Sequence, residues 1–138
     1  VIHFSTFTPR RYGPQILEWG GGYFQWEGED GSRKWYSAIK TMDTPVQIAS
    51  PGHPVARGLT PFQYKEEFYY RIRFRENDSR LQPILRVPAL ADPAMDQTVA
   101  WAVERADGGR GFGTTTGHYF ENWQNANWRR MILNAVVW

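Results

Sequence analysis

Three histidines carry most of the chemistry that this sequence offers, and each stands where a side chain is presented rather than packed. His3 follows the apolar pair Val1-Ile2, His53 lies between Gly52 and Pro54, and His118 follows Gly117 directly after an apolar and threonine-rich run. Imidazole exchanges protons near neutral pH, and a nearby carboxylate can orient it or act as a base itself. The carboxylates nearest these motifs are Glu67, in Glu66-Glu67-Phe68-Tyr69-Tyr70, and Glu121, three residues after His118. Glu66 reads as solvated. The sequence has no cysteine, which excludes a thiolate nucleophile, disulfides and thiolate-held zinc.

Other ligand chemistries compete for the same residues. Two histidines and a carboxylate suit zinc or iron, so His3 with His53 or His118 and a Glu is one alternative. Their spacing matches no short helical ligand motif, and a divalent metal held by His and Glu is therefore not the preferred reading. The rings of Tyr23, Trp26 and Tyr36 are candidates for covering the apolar faces of a sugar, whereas Trp35, Trp101 and Trp128 are assigned to packing. Gly20-Gly21-Gly22 either turns backbone amides toward an anion or only stops a helix.

The elements that must position these groups follow from the pattern. Val1 to Phe4 reads as a strand end, and Pro14 to Trp19 as a short helix with Pro at its first position and glycines at its stop. Strands are expected at Trp35 to Lys40, Val46 to Ile48, Phe62 to Tyr64, Tyr70 to Phe74 and Pro83 to Val87, with a helical start at Glu66 and Glu67. The clearest pair is Thr98 to Glu104 and Gly111 to Thr116, joined through Asp107-Gly108-Gly109 as a hairpin turn. A final helix covers about Asn125 to Trp138, with Trp128, Ile132, Ala135 and Val136 on its apolar side. Such an order predicts an α/β layer structure with a mixed sheet. His3 and His118 then both sit just after strands, where open α/β sheets bind ligands.

Composition narrows the function classes. At 138 residues the chain fits one domain, and its 41% apolar and 22% charged content is that of a globular protein. Sixteen Lys and Arg are scattered among 14 Asp and Glu, with a net charge of +2, which argues against nucleic acid as the partner. No apolar run approaches the roughly 18 residues of a membrane span. The strand-like start and the uncapped final helix suggest a chain cut at both ends. On that reading localisation stays open between cytoplasm and export, and an incomplete sheet with bare edges favours homo-oligomers.

Taken in order, Val1-Ile2-His3, Gly21-Gly22-Tyr23-Phe24, His53-Pro54-Val55-Ala56-Arg57-Gly58-Leu59, Lys65-Glu66-Glu67-Phe68-Tyr69, Val99-Ala100-Trp101, Thr115-Thr116-Gly117-His118 and Asn134-Ala135-Val136-Val137-Trp138 resemble the ThuA-like (trehalose utilisation) family across essentially the whole chain. The resemblance implies a class I glutamine amidotransferase-like, flavodoxin-like α/β fold with a layered, mainly parallel sheet and flanking helices. Residues 1–138 would form the C-terminal part of a single such domain, its N-terminal part missing. Ile2-His3 would stand where amidotransferases carry a cysteine elbow, so glutamine hydrolysis is not expected. What the resemblance implies instead is carbohydrate metabolism, on trehalose or related disaccharides, with their 3-keto derivatives as one form of substrate. Enolisation or elimination next to a ketone needs a base and an acid, so the expected mechanism is acid/base chemistry by His and Glu, of isomerase, lyase or hydrolase type. His3, His118 and Glu67 are the catalytic candidates. His53, Tyr23, Trp26, Tyr36 and Glu121 are the substrate-binding candidates. The alternative is a non-catalytic carbohydrate-binding or regulatory module on the same fold.

Overall fold

Six consecutive buried residues, Thr98 to Val103, mark the centre of the molecule. A strand apolar on both sides must be covered on both faces. Ala100 and Ala102 join the larger core, which includes Phe68, Ile84, Leu85, Phe112, Trp128 and Met131. Trp101 and Val103 join a second cluster with Phe24, Ile72 and Leu81. The computed structural model describes residues 10–26 and 36–138. His3 and Trp35 lie outside the described residues.

In chain order the elements are helix α1 (Gly13–Gly20), strands β1 (Gly22–Tyr23), β2 (Ala38–Ile48), β3 (Phe62–Tyr70), β4 (Arg73–Phe74), β5 (Leu81–Arg86), β6 (Thr98–Glu104) and β7 (Arg110–Thr114), and helix α2 (Ala126–Val137). Five strands form one sheet in the order β3-β2-β5-β6-β7, and β1 pairs with β4 alone. All of these pairings are antiparallel, in place of the mixed and mainly parallel sheet expected from the sequence. The reason lies in the connections. Parallel neighbours need a crossover, usually a helix, and no α-helix lies between Ala38 and Thr114.

Two expected strands fuse into β2, whose residues Ala38 to Val46 pair with β3 while Gln47 and Ile48 pair with β5. Pro45 is tolerated there because β5 does not reach it, so no ladder bond is lost on that side. In β3 the alternation holds throughout, burying Tyr64, Glu66 and Phe68 and leaving Lys65, Glu67 and Tyr69 on the other side. There is no helical start at Glu66 and Glu67. Glu66 is 0% exposed, which corrects the reading of it as solvated.

The bounds of α1 follow the expected signals. Gly21, with φ 79°, closes α1 through its N–H to Leu17 O at 3.0 Å, so the glycine run serves as a helix stop. The Asn125 side chain caps α2 by accepting from the N–H groups of Asn127 and Trp128. The buried residues of α2 are Trp128, Met131 and Ala135, whereas Val136, expected on the apolar side, is 64% exposed.

Beyond β7 the chain returns to the opposite edge of the sheet. Thr115 Oγ1 donates to Tyr69 O at 2.6 Å, and the N–H groups of Gly117 and His118 reach the Glu66 carboxylate. The sheet is thus curled until its last strand's continuation meets its first edge.

Candidate functional site

That meeting of edges brings together two of the sequence-selected residues, His118 and Glu67. Glu67 and Tyr69 share one side of β3, two positions apart, and the segment after β7 lays His118 beside them. His118 Nδ1 lies 3.7 Å from Glu67 Oε1, and the Tyr69 hydroxyl donates to the same oxygen at 2.6 Å. The imidazole is flanked by the rings of Tyr69, 6.3 Å away between centroids, and Tyr119, 5.1 Å away and edge-on. The His118 side chain keeps 44% of its surface accessible and Glu67 keeps 28%, so both can meet a ligand.

Burial, together with the bond to Glu67, pushes the Tyr69 phenol up to about 12. It therefore stays protonated at neutral pH and remains a donor that holds the Glu67 charge. A proton on His118 Nδ1 faces that carboxylate and leaves Nε2 with a free lone pair, the arrangement of an oriented general base. Unlike His118 and Glu67, Tyr69 was not singled out from the sequence. Its place two residues from Glu67 on a strand was the available signal.

Gly117 is required by this turn. Its φ is +101°, and a Cβ there would lie 2.7 Å from the Trp128 ring. Trp128 is held in turn by its Nε1–H to Thr116 Oγ1 at 3.0 Å. Next to His118, Lys65, Tyr119, Glu121 and Asn122 line a cavity of about 360 Å³, which places Glu121 beside the cluster rather than in it.

The remaining candidates are dispersed. His53 caps a 3-10 turn at Pro54–Ala56, its Nδ1 accepting from Val55 N–H at 3.2 Å, and its ring packs edge-on against Trp138. It lines a cavity of about 470 Å³ with Arg57, Glu104, Arg110 and Asn134, none of which belongs to the His118 cluster. Tyr23 is 7% exposed and donates to Gln25 Oε1. Trp26 packs against the second core cluster. Tyr36 lies under the Arg73 guanidinium, 3.6 Å from its ring centre, at the edge of a cavity of about 620 Å³. Among the described residues no group of three or more His, Cys, Asp or Glu is placed to hold a metal ion, and no helix is long and apolar enough to cross a membrane.

Burial of His53 lowers its pKa below the usual 6.5. The unfolded chain then binds the proton more readily, so this contribution to stability is present above about pH 6.5 and is lost as pH falls through the lower folded value. Protonation would also remove the acceptor that caps the turn. Going from about pH 7 to pH 5 should therefore lower the urea midpoint of the wild type more than that of His53→Gln, and equal losses would refute the assignment.

Comparison with known proteins agrees with this fold. A ThuA-like protein of Bacteroides uniformis superposes with a TM-score of 0.60 at 16% identity, over 92% of this chain and 51% of its own. Another from Parabacteroides merdae gives 0.58 at 19% identity, over 86% and 47%. The chain thus spans about half the length of these structures. No curated protein sequence matches it significantly. The sequence model of the ThuA family, described as trehalose utilisation, matches residues 1–138, and the chain belongs to that family.

Proposed function

We propose that this chain carries the proton-transfer machinery of a ThuA-like protein acting on a carbohydrate, with 3-keto derivatives of trehalose or a related disaccharide as the substrate class. The observation that carries the reading is the convergence of His118 Nδ1 and the Tyr69 hydroxyl on one oxygen of Glu67. In this mechanism Nε2 of His118 takes the proton from the carbon next to the ketone, and the C–H electron pair forms an enolate. Glu67 stabilises the imidazolium that results. Returning the proton to the same face of that carbon gives exchange alone, protonation on the opposite face gives isomerisation, and delivery to a departing glycosidic oxygen gives elimination.

Two features favour proton transfer over acyl transfer. The chain has no cysteine. The consecutive amides of Gly117 and His118, which would otherwise suit an oxyanion, are already taken by Glu66.

The test is deuterium uptake from heavy water into a 3-keto-disaccharide, followed by NMR with the intact protein. Glu67→Gln should slow the exchange by about tenfold to a hundredfold, less than the ~10⁴ of a fully buried triad carboxylate because Glu67 remains partly exposed. Tyr69→Phe should slow it less, since it removes the donor to Glu67 and leaves the carboxylate in place. Exchange at wild-type rates in both variants would sink the mechanism. The exposed ring of Phe120, two residues after His118 in the chain, also fits a sugar-binding module, and saturable binding without any exchange would support that second reading.

A further inference from the structure

Glu66 is a carboxylate with no access to solvent, and its two oxygens accept four hydrogen bonds. Oε1 accepts from Glu67 N–H at 2.8 Å. Oε2 accepts from Gly117 N–H at 2.5 Å, His118 N–H at 3.1 Å and Asn122 Nδ2 at 3.1 Å. Asn122 also donates to Lys65 O at 2.7 Å, so the segment following His118 is tied to β3 twice. A carboxylate satisfies all four donors, whereas an isosteric amide must turn its NH₂ toward at least one of them. Charge-assisted bonds of this kind are about twice as strong as neutral ones.

We propose that Glu66 is a positioning residue for the His118–Glu67 pair. It fixes the Gly117–His118 backbone to β3, so that the imidazole is set against the carboxylate presented one residue further along the same strand. The Trp128 ring beneath Gly117 supports the turn from the other side. This inference rests on the proposed function in taking the His118–Glu67 pair as the working unit, but it makes a separate claim. Fifty-one residues of sequence separate Glu66 from Gly117, and this carboxylate is what converts strand alternation into the placement of a base.

Ring-proton NOEs in the intact protein test it without any substrate. Wild-type His118 should show NOEs to the Tyr69 ring on β3 and to the Tyr119 ring of its own segment. In Glu66→Gln the His118–Tyr69 NOE should fall by more than half, while the Trp101–Phe74 NOE of the second core cluster is kept. Asn122→Ala, a milder loss of one donor, should give an intermediate loss. An undiminished His118–Tyr69 NOE in Glu66→Gln, whatever the change in melting temperature, would overturn the proposal. Equal loss of both NOEs would make Glu66 only structural and would overturn it too. Failure here leaves the deuterium-exchange result standing, and failure of exchange leaves these NOEs readable.

Discussion

Replacing His118 by Ala is expected to lower deuterium exchange into a 3-keto-disaccharide by a factor of about 10² to 10⁴, the usual worth of a positioned general base. Its backbone N–H still reaches Glu66 after the change, and 44% of its side chain is already accessible, so the fold should survive. A drop in kcat/KM with the melting temperature held within a few degrees is the outcome that supports the assignment. Exogenous imidazole should restore part of the rate, because the space vacated between Tyr69 and Tyr119 opens to solvent. Full activity in the variant would transfer the role of base elsewhere. Coupled loss of activity and fold would instead be tested with His118→Gln, which keeps the volume and removes the basic nitrogen.

Trp101→Ala should be the most damaging single truncation for stability. The residue is 0% exposed, packs edge-on to Phe74 at 5.1 Å, and donates Nε1–H to Gly20 O at 2.6 Å. Its ring lies across Gly113 of the neighbouring strand, where even a Cβ would come within 2.3 Å. Deletion leaves a cavity in the second core cluster and strips a buried carbonyl of a donor, for a cost of about 3–5 kcal/mol. In a chain of this size each kcal/mol is worth about 3–4 °C, so the melting temperature should fall by more than roughly 10 °C. Urea denaturation followed by circular dichroism gives the free energy directly. A loss below about 1.5 kcal/mol would mean that the second cluster is not an essential part of the core.

Local rules carried the sequence reading furthest. The hairpin of β6 and β7 was visible from its apolar runs and from Asp107-Gly108-Gly109, where Gly108 adopts φ 82° and Asp107 accepts from Gly109 N–H at 2.8 Å. Helix α1 showed both of its bounds through Pro14 and Gly21, and α2 showed its start near Asn125. His118 and Glu67 were each picked out by residue type and neighbours, and the structure brings that pair together. What local rules could not supply was long-range compensation. A glutamate beside another glutamate reads as solvated because three of its four donors arrive from residues 117 to 122 and are invisible from its own strand. Pro45 in Asp43-Thr44-Pro45 reads as a break unless it is known that β5 stops short of it. Strand direction was likewise set by the absence of helical crossovers rather than by the apolar pattern of β6, which suits a parallel strand equally well.

The curl of the sheet gives the histidine a place in the order of events during folding. Hairpin contacts such as Trp101 with Gly113 close short loops, whereas the Glu66 contact must wait for a chain excursion of 51 residues. The cluster around His118 is therefore expected to assemble after the hairpins and to open before them. The amides of Gly117 and His118, sealed only while the curl is shut, become natural reporters of that opening. Their hydrogen exchange should be faster than that of the β6 amides and should slow first when a ligand fills the site.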